Sequence, residues 1–136
     1  MTRKRYIIGI DEVGRGALAG PVTVGALALQ AGLRFDPAEL KRLKLNLRDS
    51  KKLTPAGRRR WVSYLKKRND IFFKTASVSP KAIDRMNISR AANLAATKAF
   101  EKLADREILK TSPFVFLDGG LYLKNGWGKK LKLRTV

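Results

Sequence analysis

Residues 7–16 read IIGIDEVGRG. The isoleucines carry apolar surface on both faces, and with Arg5 and Tyr6 before them they predict a central strand over residues 5–11. The run closes on two adjacent acids, Asp11 and Glu12, and then on Gly14, Arg15 and Gly16. Two carboxylates therefore stand where a core strand meets a turn. A second stretch, FVFLDGG at 114–120, has the same grammar of apolar run, acid and glycine. If the two strands are parallel neighbours, spaced by about 4.8 Å, Asp11 and Asp118 emerge at one edge of the sheet. In open α/β sheets that carboxyl edge is where ligands bind. Successive side chains on a strand point to opposite faces. Glu12 therefore joins Asp11 only if the strand ends or twists there, and Gly14 and Gly16 predict an early end.

Carboxylates brought close repel unless one takes a proton or a cation sits between them. An oxygen-only ligand set points to a hard cation, Mg²⁺ or Mn²⁺. Two such ions about 3.5–4 Å apart activate water and stabilise the leaving oxygen of a phosphodiester. On pattern alone the alternatives stay open: Asp11-Glu12 also suits a helix cap or surface turn, and Asp118-Gly119 also suits an ordinary turn.

Outward from these two stretches, residues 22–29 (VTVGALAL) predict a second strand, hairpinned to the first. Asp36-Pro37 opens a short helix through Leu43, followed by the polar loop NLRDSKKL. Thr54-Pro55 starts a longer helix, with a hydroxyl cap and proline at its first position. Trp61, Val62 and Leu65 are expected on its apolar side. Residues 71–78 predict a third strand. Ser79-Pro80 begins another short helix, and Asn87 caps a longer one with Ile88, Ala92, Ala95, Ala99 and Leu103 on one face. Residues 131–136 begin a further strand. The order implies an α/β architecture, a mixed sheet with helices on its faces, in which the helical crossover makes 114–118 parallel to an earlier strand.

Composition narrows the chemistry. The 136 residues contain no Cys and no His. Disulfides, zinc–thiolate sites, cysteine nucleophiles and imidazole bases are thereby excluded. Thirty Lys and Arg oppose eleven Asp and Glu, a formal net charge of +19. Such an excess predicts a polyanionic partner, nucleic acid first among them. No apolar run reaches the length of a membrane span, and no signal peptide is recognisable, so a cytoplasmic protein without membrane association is expected. Trp61 and Trp127 are expected to pack in core or loop rather than to stack on bases.

Four motifs in order, GIDEVGRGALAGPV, LRDSKKLTPAGR, IDRMNISRAANLAATKAF and FLDGGLYL, closely resemble ribonuclease HII of the type 2 ribonuclease H family. The resemblance runs from Arg5 nearly to the last residue. It implies a ribonuclease H-like fold and an endonuclease acting as a monomer on RNA–DNA hybrids and on ribonucleotide-containing duplex DNA, in ribonucleotide excision repair. Cleavage would fall 5′ to a single ribonucleotide, leaving a 3′-hydroxyl and a 5′-phosphate. It also implies four carboxylates working with Mn²⁺ or Mg²⁺. Three map onto Asp11, Glu12 and Asp118 as catalytic and metal-binding candidates. Gly14, Arg15 and Gly16 match the loop that reads the junction between ribonucleotide and deoxyribonucleotide, and the 2′-hydroxyl is what such a loop must sense. Ser50, Lys51 and Lys52 match the loop that lies on the nucleic acid backbone.

No acid follows Asp118. The family's fourth carboxylate would come from a later strand, so the resemblance leads us to expect one catalytic domain over residues 1–136, incomplete, with its last strand and C-terminal helices absent. A non-catalytic hybrid-binding fragment is the alternative.

Overall fold

Strand β1 (Tyr6–Val13) lies at the middle of a five-stranded sheet ordered β3-β2-β1-β4-β5, as expected of a run apolar on both faces. The computed structural model describes residues 5–13 and 20–136. Strand β2 (Val22–Gln30) runs antiparallel to β1, with Ile10 opposite Ala26 and Val13 opposite Thr23. Its alternation is strict: Val22, Val24, Ala26 and Ala28 are buried, and the residues between them are half-buried. Strand β3 (Ile71–Val78) forms one edge. Strand β4 (Phe114–Leu117) is parallel to β1, and β5 (Lys132–Thr135) is parallel to β4 at the other edge.

The parallel pairing requires the chain to return from β3, and helices make that return. Helix α3 (Pro80–Met86) is capped by Ser79, whose Oγ accepts from the Ala82 amide. Asn87 caps the next helix, accepting from the Arg90 amide at 2.9 Å. Its φ of +48° is a conformation asparagine adopts more readily than most residues. Helix α4 (Ile88–Leu103) then packs on β2 and β1 through Ala91, Ala92, Ala95, Ala96 and Ala99, all buried. Alanines let a helix lie close to a sheet, and Phe100 fills the space beside them.

The described residues form two compact units, one comprising the chain up to Ala31 with Phe72–Val136, the other Gly32–Ile71. In the second, helix α1 (Pro37–Arg42) is capped by Asp36, and helix α2 (Pro55–Lys67) by Thr54, whose Oγ1 accepts from the Gly57 amide at 3.0 Å. Phe35, Trp61 and Tyr64 form a ring cluster with centroids 5.9–6.3 Å apart. The expected apolar side of α2 needs one correction. Val62 is exposed, and Tyr64 is buried in its place, because the inward stripe follows Gly57, Trp61, Tyr64 and Leu65. Among the described residues no helix is long and apolar enough to cross a membrane.

Two short helices were not anticipated. Helix α5 (Arg106–Lys110) is capped by Asp105, and helix α6 (Trp127–Lys130) sits in the glycine-rich stretch after β4. Neither is long enough to establish a helical period.

Candidate active site

The β1–β4 ladder places Ile10 opposite Leu117, and the Asp118 amide donates to the Ile10 carbonyl at 3.0 Å. Asp11 and Asp118 therefore follow side by side where the parallel β1–β4 ladder ends. Both side chains lie on the solvent-exposed side of the alternation, opposite buried Ile10 and Leu117. The Asp11 Oδ1 accepts from the Glu12 amide at 2.7 Å. Asp11 holds its proton more tightly than an ordinary aspartate. Partial desolvation is the main cause, the Glu12 amide opposes it, and the Asp118 carboxylate raises it further through a hydrogen bond and its charge; the Glu12 charge adds to this. The structure thus brings Asp118 close enough to disfavour the ionised form of Asp11.

Backbone alternation sets Glu12 on the other face of the strand. β1 stays extended through Val13, and Glu12 pairs with Val24. By alternation its side chain lies on the Ile8–Ile10 face and is half-buried. The expected early end of the strand is corrected here: β2 runs beside β1 as far as Thr23, and the ladder keeps the backbone extended past the acids. Among the described residues, no three acids gather into a group suited to a metal ion.

Gly14, Arg15 and Gly16 lie outside the described residues. Ser50 opens a 3₁₀ turn, Ser50–Lys52, in the second unit. Asp49 shapes that turn: its Oδ1 accepts from the Lys51 amide at 3.0 Å and its carbonyl from the Lys52 amide at 2.9 Å. Lys51 and Lys52 are exposed. Both tryptophans pack as expected. Trp61 Nε1 donates to the Asn46 carbonyl at 2.8 Å, and Trp127 meets Phe100 edge-on at 5.0 Å.

Two residues that sequence reasoning passed over fix the segment leaving Asp118. The chain turns at Asp118–Leu121, the Leu121 amide donating to the Asp118 carbonyl at 3.1 Å, with Gly120 at φ +85°. The next stretch is stitched to α4. Asn93 Oδ1 accepts from the Tyr122 amide at 2.9 Å, and Thr97 Oγ1 accepts from the Lys124 amide at 2.9 Å while donating to the Asn93 carbonyl at 2.8 Å. Each is only 2% exposed. The signal was there: two polar residues at i, i+4 within an alanine stripe demand buried partners.

A five-stranded mixed sheet with an acid from each of two adjacent parallel strands at the end of their shared ladder defines the ribonuclease H-like class. Solved structures agree on the fold: ribonuclease H2 from Pyrococcus horikoshii OT3 superposes with a TM-score of 0.60 at 23% identity, covering 96% of this chain and 61% of that one. Bst-RNase HIII, solved in complex with Mn²⁺, gives 0.64 at 21% identity, covering 93% and 40%. The chain belongs to the ribonuclease HII family, whose model matches residues 8–115, a span that includes Asp11 and Glu12 and stops short of Asp118. Ribonuclease HII of Paracoccus denitrificans is 40% identical over 117 residues, 86% of this chain and 48% of that protein. The chain spans about half the length of the curated relatives it matches.

Proposed function

We propose that the chain serves a metal-dependent endonuclease that hydrolyses the RNA strand of RNA–DNA hybrids and nicks duplex DNA 5′ to single ribonucleotides, leaving a 3′-hydroxyl and a 5′-phosphate. The observation that carries the reading is the Asp11–Asp118 pair at the end of the parallel β1–β4 ladder, in a ribonuclease HII relative of net charge +19. A pair of aspartates fits a hard cation, since Mg²⁺ is commonly held by one or two carboxylates, with water and substrate phosphate completing the shell. Asp11 and Asp118 would hold it. A bound Mg²⁺ or Mn²⁺ supplies Lewis acidity toward a phosphodiester and compensates the two carboxylates. The two-ion form implied by the resemblance needs a further acid, and Glu12 is the candidate.

The chain's own groups do the rest. The Glu12 amide fixes one oxygen of Asp11. Gly14, Arg15 and Gly16 are proposed to read the 2′-hydroxyl at the junction, and Ser50, Lys51 and Lys52 to hold backbone phosphates. We place the protein in the cytoplasm, as a monomer in ribonucleotide repair. In the test, a duplex with one embedded ribonucleotide is incubated with Mn²⁺ and the products are resolved on a denaturing gel. Nicking on the 5′ side, lost in Asp11→Asn, is expected; nicking unaffected by that change rejects the assignment.

One observation favours a second reading, a non-catalytic hybrid-binding chain: among the described residues no three acids form a group suited to a metal ion. Binding of hybrid in EDTA with no cleavage in Mn²⁺ selects it.

A further inference from the structure

The second unit carries thirteen Lys and Arg against four Asp and Glu, a net +9 within forty residues. It carries a cavity of about 610 Å³, inside the size range of ligand sites. Leu43, Leu45 and the buried ring of Tyr64 form its apolar part, and Arg59, Arg60 and Lys67 border it. The remaining charges there are already engaged. Arg68 is paired with Asp70 through two bonds of 2.8 and 2.6 Å and donates to the Tyr64 hydroxyl at 2.7 Å; that hydroxyl also meets Glu39 at 3.4 Å. Arg59 and Lys67 have no hydrogen-bond or ion-pair partner among the described residues. The cavity, whose lining also includes the Glu39 carboxylate, therefore presents apolar surface beside an excess of cations, Arg59, Arg60, Lys67 and Arg68.

A smaller cavity of about 190 Å³ adjoins it, with Lys44, Arg48, Lys52 and Arg60 among its walls and no acid. Arg60 borders both, its Nε donating to the Lys44 carbonyl at 3.2 Å. Basic side chains thus form a track from Lys52, a residue already proposed to hold phosphate, to the larger cavity.

We propose that this track binds an unpaired nucleic acid strand, one nucleotide of which enters the larger cavity with its base on Leu43, Leu45 and Tyr64 and its phosphates on Arg59, Arg60 and Lys67. An apolar floor under a cationic rim is the chemistry of single-strand recognition. A double helix offers no exposed base face to such a floor, and the run of cations leading away from the cavity suits a strand better than a free nucleotide. The partner's class rests on the nucleic-acid reading above; the location does not.

The experiment titrates a fluorescein-labelled oligothymidylate and a blunt DNA duplex with the full chain in EDTA. Ala56→Leu/Ser63→Leu, two exposed positions lining the cavity, fills it without altering charge. Arg59→Gln/Lys67→Gln removes charge without filling it. Circular dichroism verifies the fold of both. The filled variant should bind oligothymidylate about tenfold more weakly and duplex unchanged. The charge variant should lower the slope of log K against log salt for the oligomer by about 1.4. Unchanged oligomer binding in the filled variant, or an unchanged slope in the charge variant, overturns the proposal. Competition by thymidine monophosphate at the oligomer's own concentration overturns the strand in favour of a small nucleotide. Because the assay excludes metal, its failure with ribonucleotide nicking intact rejects the cavity alone, and loss of nicking with this binding intact rejects the nuclease alone.

Discussion

Replacing Asp11 by asparagine should stabilise the metal-free protein, against the usual sign for a mutated site. Asp11 and Asp118 follow the last paired residues of neighbouring strands about 4.8 Å apart, and two unit charges at that separation repel by about 3.5 kcal/mol at an effective dielectric of about 20. Both side chains are exposed, so water and salt reduce this to about 1 kcal/mol or less. Asparagine keeps the acceptor for the Glu12 amide and adds a donor toward Asp118. The pH dependence has a definite sign. The folded pKa of Asp11 is raised above the ordinary 3.8, so its stabilising contribution is present below that value and is lost as pH rises through the folded pKa. The advantage of Asp11→Asn should therefore be absent in strong acid and complete at neutral pH. Urea titrations at low ionic strength in EDTA measure it. With Mn²⁺ the order should invert, because a ligand at a hundredfold its Kd adds about 2.7 kcal/mol to the protein that binds it. A variant less stable than the parent in EDTA at neutral pH, or an equal gain from Mn²⁺ in both proteins, refutes the shared-cation argument.

Three further outcomes follow from the geometry. Gly120→Ala should cost about 1 kcal/mol in urea unfolding, since φ +85° disfavours any side chain. Asn93→Ala leaves the Tyr122 amide without its acceptor and should cost about 1–3 kcal/mol; in the same variant Mn²⁺ binding, followed by calorimetry, should weaken, and unchanged affinity would separate the 121–124 segment from the acids. Thr54→Ala removes the cap on the Gly57 amide and should cost about 1 kcal/mol, with Asp11-dependent nicking preserved.

Much of the sheet was legible because its signals are local. The isoleucine run, the alternation of 22–30 and the alanine spacing of α4 each state their burial in a few residues. The meeting of Asp11 with Asp118 could be anticipated because one helical crossover forces parallel pairing, and each acid directly follows an apolar run that pairs with the other. The position of Glu12 could not. Whether a strand stops or continues past a glycine depends on its neighbour, and β2 carries the ladder on to Val13. Val62 failed for a similar reason: the phase of α2 is set by the ring cluster around Phe35, which lies outside the helix. Asn93 and Thr97 were hidden by their partners, backbone amides nearly thirty residues away that no side-chain pattern announces.

Helix α4 meets the sheet through five methyl groups and holds the 121–124 segment through two polar side chains. The stand-off between helix and sheet is therefore set by the smallest side chain able to define it, with no slack to absorb a larger one. Any change of bulk in that seam displaces the helix, and the displacement is transmitted through Asn93 and Thr97 toward Asp118. Interior substitutions far from solvent should accordingly register as altered cation affinity, so the gauge of the protein's hidden packing is read at Asp11 and Asp118.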